Sequence, residues 1–210
     1  MSTQPKRGRP PVLSSAERMQ VILETTQQLL EQKEMDAHSM AEVAKLAGMS
    51  KRTLYDLVPS KETLISLVIE RSRSRIADLL DKQINTSAEA IELLEYFCIR
   101  WADNALSVAV TNTVRLAMDE RRTFPGIAAA HFEKGGEYLA AKLAVWLQQM
   151  SDKGLLVVED PIVISEMLLA YLISHPLFSQ ALDHRAALSK SETVERVRQI
   201  LKICRVGIAS

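Results

Sequence analysis

Ser39-Met40-Ala41-Glu42-Val43-Ala44-Lys45-Leu46-Ala47-Gly48-Met49-Ser50-Lys51-Arg52-Thr53-Leu54-Tyr55 is the stretch on which the reading of this chain turns. Ser39-x-x-Glu42 has the spacing of a capping box, in which a serine side chain caps the helix start and the glutamate reaches back. The helix it opens carries Met40, Val43, Ala44 and Ala47 on one face and stops at Gly48, whose positive φ suits a tight turn. Ser50 then caps a second short helix, Lys51 to about Leu57. The small Ala44, four residues before Gly48, lets two short helices cross closely. With Leu54 and Leu57 turned inward, Lys51, Arg52, Thr53, Tyr55 and Asp56 form the outer face. Two cations, a hydroxyl and a tyrosine on an exposed short helix suit the DNA major groove, where arginine reads guanine bidentately and hydroxyls reach phosphates. A plain αα-hairpin with a solvated outer face has the same spacing.

Working outward, each element carries its own start or stop signal. Ser14-x-x-Glu17 is another capping box, followed by Val21, Ile22, Thr25, Thr26, Leu29 and Leu30 at helical spacing, which predicts a helix over 15–33. Pro59-Ser60 ends the second short helix and opens a long one bearing Leu64, Leu67, Val68, Ile76, Leu79 and Leu80. Thr86-x-x-Glu89 starts a helix with Phe97, Cys98 and Trp101 on its apolar side. Thr111 to Glu120 reads as its continuation. Phe124-Pro125-Gly126 punctuates the chain, and a long helical segment follows to Gly154, with Gly135-Gly136 as a kink. Asp160-Pro161 is an N-cap with proline at the first helical position; His175-Pro176 is expected to end or bend that helix. Ser189-x-x-Glu192 opens the last one. Leu155 to Val158 reads as a buried connection rather than a strand. The chain is all-α.

Composition narrows the function classes. The 210 residues hold 26 Lys and Arg against 26 Asp and Glu, with 47% apolar residues, 5% aromatic, 7 Gly and 7 Pro. This is an ordinary globular balance, and it excludes a disordered, collagenous or disulfide-scaffold chain. A zero sum still permits a local cationic face. Cys98 and Cys204 lie on apolar stretches and read as buried thiols. His38, His131, His175 and His184 fall in no metal-ligand or base–nucleophile spacing, and no Gly-rich phosphate loop is present, so no enzyme, cofactor or metal is expected. No apolar leader is visible. The most apolar stretch, Met167 to Leu182, is interrupted by His175-Pro176 and bounded by Glu166. A cytoplasmic protein with no membrane partner is expected.

Arg18-x-x-Ile-Leu-x-x-Thr, the segment Ser39 to Tyr55, and Ser60-Lys61-Glu62-Thr63-Leu64 together resemble the DNA-binding domain of TetR/AcrR transcriptional regulators, in the family's order and at its separations. The resemblance implies an N-terminal three-helix helix-turn-helix DNA-binding domain joined to a C-terminal helical ligand-binding and dimerisation domain. The expected division is a flexible basic arm at 1–13, the DNA-binding domain at 14–60 and the effector-binding and dimerisation domain at 61–210. Carried over by position, Ser50, Lys51, Arg52, Thr53 and Tyr55 belong to the recognition helix, Ser39 caps helix two beside a phosphate, and Lys61 faces the DNA backbone. Three positions depart from the family pattern. Glu34 replaces the glycine after helix one, Leu30 an aromatic, and Leu57-Val58 the usual His-Phe.

Ahead of helix one, Arg7-Gly8-Arg9-Pro10 resembles the core of an AT-hook, whose arginines, Arg7 and Arg9, lie in a narrow minor groove. A basic tail adding only non-specific attraction is the alternative. Farther on, Arg115 to Glu120, Phe124-Pro125, Gly154-Leu155 and Asp160-Pro161 resemble the C-terminal domain of AefR-like regulators. That resemblance implies an effector pocket in the middle helices, for which Phe97, Trp101, Asn104, Arg115, Met118, Phe132, Trp146 and Tyr171 are the candidates. Arg115 and Asp119 also have the i,i+4 spacing of a surface ion pair. It implies pairing of the last two helices across a homodimer, with Leu168, Leu169, Leu172, Val194, Val197 and Leu201 as contacts. The function expected is a homodimeric repressor on a palindromic double-stranded operator, released by a small-molecule effector. A helical protein-interaction module with a degenerate helix-turn-helix is the alternative.

Overall fold

The computed structural model of the chain describes residues 13–32, 40–123, 125–184 and 186–204, with Phe132 described by its backbone alone. The helices are α1 (Ser15–Glu31), α2 (Met40–Leu46), α3 (Lys51–Leu57), α4 (Lys61–Ala77), α5 (Ser87–Ala105), α6 (Val108–Asp119), α7 (Pro125–His131), α8 (Glu137–Asp152), α9 (Pro161–Leu169), α10 (His175–Ala181) and α11 (Lys190–Ile203). No β-strand is found among the described residues. Capping boxes at Ser14/Glu17, Thr86/Glu89 and Ser189/Glu192 form as the spacing predicts. Single caps from Ser50, Ser60 and Asp160 start α3, α4 and α9. Ser39 and its capping box lie outside the described residues, as does the turn containing Glu34.

One expectation about helix continuity needs correction, and one open alternative is decided. Helix α6 does not continue α5: the chain breaks at Leu106, and the Ser107 side chain caps a new helix by accepting from the Val110 N–H. Of the two outcomes expected at His175-Pro176, an end is excluded: the helix runs from Pro161 to Ala181, distorted by a wide π-turn at Ala170–Ser174. Pro176 has no N–H to give to the preceding turn, so the turn widens, and the Ser174 hydroxyl donates to the Leu169 carbonyl at 3.3 Å. That helix is long and apolar enough, by length and composition, to cross a membrane. Yet Ile164, Leu168, Leu172 and Ile173 on its inner face are buried in the chain's own core. A second π-turn, Phe132–Gly136, joins α7 to α8. A Cβ added at Gly136 would stand 3.0 Å from Leu169 Cδ1, so this wide turn brings α8 against α9 where only glycine fits without a shift.

Three apolar clusters organise the packing. One joins α1, α2, α3 and the start of α4 around Ile22, Val43, Leu54, Val58 and Leu64. The largest gathers α5, α8, α9 to α11 and the end of α4 around Phe97, Trp101, Leu143, Leu147, Leu168 and Val197. A third, with Leu30, Ile65, Leu116 and Ile127, lies between them. Successive turns of α4 therefore enter all three: Leu64 the first, Ile65 the bridging one, Ile76 and Ala77 the largest. Cys98 is fully buried and Cys204 partly so; neither is bonded to another cysteine. Burial raises both thiols above their ordinary pKa and keeps them in the inert protonated form. In the link after α8, Leu156 is buried but Val157 is exposed, so only half of that connection is core.

Candidate nucleic-acid interface and internal cavity

Helix α2 ends in a Schellman motif: the Gly48 N–H donates to the Lys45 carbonyl at 3.2 Å and the Met49 N–H to the Ala44 carbonyl at 2.8 Å. Gly48 takes φ +66°, the left-handed conformation this closure needs. Two residues later the Ser50 hydroxyl accepts from the Thr53 N–H at 3.0 Å and starts α3. Leu54 and Val58 are fully buried on the inner side. Val58, standing where the family has an aromatic, thus plugs the small core with an aliphatic side chain. The outer side carries Lys51, Arg52, Tyr55 and Asp56, all exposed, with Tyr55 at 48%. Thr53 is partly buried, and its hydroxyl lies 2.9 Å from that of Ser50, so the two hydroxyls occupy one another at the helix start. None of the groups on this face except Thr53 and Ser50 is tied to a neighbour by a hydrogen bond or ion pair among the described residues.

Lys61 stands apart from that face. Its ammonium donates to both carboxylate oxygens of Glu120, at 2.8 and 2.9 Å, and its side chain is 14% exposed. The next residue, Glu62, accepts from the Gly126 N–H at 2.8 Å. The first turn of α4 is therefore strapped to the end of α6 and the start of α7. A further tie lies deeper. Asn112 is buried on α6, and its amide donates to the Leu30 carbonyl near the end of α1 at 2.7 Å. Arg71 on α4 reaches Glu24 on α1 at 2.8 Å. That guanidinium holds the Glu24 carboxyl below its ordinary pKa. Arg7, Arg9 and Ser39 lie outside the described residues.

Behind this junction lies a cavity of about 720 Å³. Its walls come from the whole middle of the chain: Gln27 and Leu30 of α1, Val68, Ser72 and Arg73 of α4, Trp101 and Asn104 of α5, and Val110, Thr113 and Met118 of α6. Gly135 and Gly136, Leu139 of α8, and Leu169, Ile173 and Phe178 complete it. Of the expected pocket residues, Trp101, Asn104 and Met118 line it. The side chain of Phe132 is not among those described. The remaining four need correction. Phe97 is buried against Trp101, ring centroids 5.6 Å apart, one layer behind the wall. Trp146 is core. Tyr171 lies under the Arg196 guanidinium, 4.1 Å from its ring centre, and its carbonyl accepts from Arg196 at 2.7 Å. Arg115 closes the end of α10, donating to the carbonyls of Gln180 at 2.8 Å and Ala181 at 3.0 Å and pairing with Asp183, not Asp119.

Polar groups on the cavity wall are few. The Ser72 hydroxyl donates to Asn104 Oδ1. The Thr113 hydroxyl donates to the Ala109 carbonyl at 2.9 Å. Burial depresses the His131 pKa, which keeps the imidazole neutral near pH 7. Arg73 lies with its guanidinium carbon 3.9 Å from the Tyr138 ring centre, and its Nε is buried without a hydrogen-bond partner. No sequence signal marked Ser72, Arg73 or His131, which meet only when α4 and the α7–α8 segment pack together. Asn112 did carry one, an amide between two threonines on an otherwise apolar helix face.

The expected dimer contacts also divide. Leu168, Leu172 and Val197 are buried in the chain's own core; Leu169, Val194 and Leu201 are partly exposed, and Leu169 lines the cavity. The apolar side chains that do face outward on these helices are Ile162, Val163, Met167, Phe178 and Ile203. The reason is the phase of the α9–α10 helix: its leucines follow the inner stripe, while a second apolar stripe lies outside.

An exposed polar helix set on a small three-helix core, strapped to a larger helical body with an internal cavity, is the architecture of a helix-turn-helix regulator. The chain belongs to the TetR family: residues 22–68 match the family model described as bacterial regulatory proteins, tetR family, and residues 92–204 that of the AefR-like transcriptional repressor, C-terminal domain. It is a DNA-binding transcriptional regulator, and the family of its C-terminal half is one of repressors. No curated protein sequence matches the chain. Among solved structures, a TetR-family transcriptional regulator from Mesorhizobium loti superposes with TM-score 0.71 at 24% identity, over 94% of this chain and all of that one. The flavonoid-responsive regulator FrrA gives TM-score 0.59 at 24% identity, over 90% and 95%. A regulator from Saccharomonospora viridis in complex with choline gives 0.63 at 16% identity, over 91% and 98%. At these identities the likeness is one of fold. The reading as an interaction module with a degenerate helix-turn-helix is not favoured.

Proposed function

We propose that the chain is a homodimeric repressor whose operator binding is relieved by a small molecule held in the internal cavity. One observation carries this reading: the cavity wall includes α1 and α4 as well as the C-terminal helices, so an occupant touches the helices on which α3 is mounted. A ligand that favours one placement of α4 changes DNA affinity by its coupling free energy. Lys51, Arg52 and Tyr55 would read or contact the DNA, with Ser50 and Thr53 near the backbone and Arg7 and Arg9 in an adjacent minor groove. Two copies would pair through the outer apolar stripe of α9–α10, with Val163 and Met167, and through Val194, Leu201 and Ile203 of α11. Pairing sets two recognition helices in successive major grooves and calls for a palindrome with half-sites about 34–36 Å apart.

Selection of bound sequences from random DNA with the purified protein tests the first part; enrichment of a palindrome supports it, and enrichment of none removes it. Sedimentation equilibrium tests the second: a monomer at micromolar concentration would end the dimer reading, and Met167→Glu is expected to produce that monomer.

A further inference from the structure

We propose that the cavity takes an organic acid, an apolar body bearing one carboxylate, held through that carboxylate by Arg73. The proposal rests on the reading of the cavity as the effector site. The wall is mainly aliphatic and aromatic, with Leu30, Val68, Trp101 and Ile173 among its side chains, so the body of a ligand must be apolar to fill it. The polar requirement is set by what the wall lacks. Arg73 has no carboxylate within ion-pair distance among the described residues, and its buried Nε–H has no acceptor. Its planar face is covered by Tyr138 and its Nε is sealed off, so the two Nη groups, unbonded among the described residues, are what a ligand in the cavity can reach.

The other cavity groups point to the same chemistry. Asn104 has its carbonyl oxygen occupied by the Ser72 hydroxyl, while its Nδ2 is bonded to nothing among the described residues. Arg121 and Glu137, the other charged residues lining the cavity, are both exposed at its rim and of opposite sign. Among the inner side chains the one charge without a counter-ion is therefore positive. A planar carboxylate matches the guanidinium edge with two parallel N–H···O bonds, which an alcohol or an ammonium cannot supply. Because Arg73 sits on α4, the same helix whose first turn is strapped through Lys61 and Glu62 to α6 and α7, the anion would act on the element that carries the DNA-reading unit.

Calorimetric titration of the full chain with 2-naphthoate and with 2-naphthalenemethanol tests this. The acid is expected to bind at least about tenfold more tightly than the alcohol, and Arg73→Met to remove that preference while leaving alcohol affinity within about twofold. Arg73→Lys, which keeps the charge but not the fork, should recover part of it; thermal melting of both variants reports their folding. Equal affinity for acid and alcohol, undiminished acid binding in the folded Arg73→Met protein, or binding of neither probe overturns the proposal. Anisotropy with a selected operator separates it from the effector reading. An alcohol that releases DNA without acid preference leaves the effector reading standing and the acid proposal overturned. Arg73-dependent acid binding that leaves DNA affinity unchanged does the reverse.

Discussion

The unit formed by α1, α2 and α3 and the body from α5 to α11 are both small helices around leucine-rich cores, but they turn their polar chemistry in opposite directions. In the first, the core is a handful of side chains about Leu54, and Lys51, Arg52 and Tyr55 face outward with no partner among the described residues. In the second, the outside is ordinary and the distinctive groups, Asn104, Asn112 and His131, face inward or bridge helices, joined by Arg73 of the connecting α4. An outward site depends on one helix being correctly phased. An inward site depends on several helices meeting. The straps from Lys61, Glu62, Asn112 and Arg71 connect the two, and they are the groups by which an event inside can reach the outside.

Substitutions can break this contrast at graded strength. Leu54→Ala removes a fully buried side chain from the smaller core and is expected to cost about 2–5 kcal/mol of stability, seen as an early first transition in urea unfolding. A single unshifted transition would mean that the small core does not hold α3. Arg52→Ala should leave stability unchanged and weaken specific DNA binding by about 1–3 kcal/mol, roughly tenfold or more by anisotropy titration, if it reads a base. Unchanged specificity would take α3 off the DNA. Asn112→Ala leaves the buried Leu30 carbonyl without its donor, for an expected loss of about 1–3 kcal/mol in urea unfolding. If ligand-induced release of DNA survives that change, the tie between α6 and α1 is not part of the coupling.

Two smaller effects sharpen the picture. Glu120→Gln removes the carboxylate that Lys61 pairs with, and operator affinity is expected to rise by up to about fivefold at low salt, the scale of one partly exposed ion pair. An unchanged affinity would keep Lys61 away from phosphate in the bound state. The smallest is a pH dependence. His131 is held neutral by burial in the folded chain, whereas in the unfolded chain it titrates near its ordinary value of about 6.5. Below that pH the unfolded state takes up a proton that the folded state resists, so stability falls as pH drops and is insensitive above it. His131→Gln should flatten this part of the stability profile; an unaltered slope would assign it to other groups.

Much of this architecture was legible in the residues, and the reason is local. Ser14/Glu17, Thr86/Glu89 and Ser189/Glu192 cap the helices they precede, and Gly48 and Gly154 close α2 and α8, because caps are set by side chains within four residues of the backbone they satisfy. The outer face of α3 follows from its period alone. Ambiguity and error arose where local signals competed. Pro176 signals either an end or a bend, and packing on the core keeps the helix going with the distortion taken up by a π-turn. The apolar run through α5 and α6 hid the break that Ser107 caps.

By itself, the sequence determined that the chain is helical, where most helices start and stop, and that one short cationic helix is offered to a partner. These depend on hydrogen bonds and periodicities spanning a few residues. Only the tertiary structure decided which apolar stripe of α9–α10 faces in, that Lys61 answers Glu120, and that Arg73, Asn104 and His131 share one cavity. These groups are separated by dozens of residues, and no local periodicity records the angle at which two helices cross.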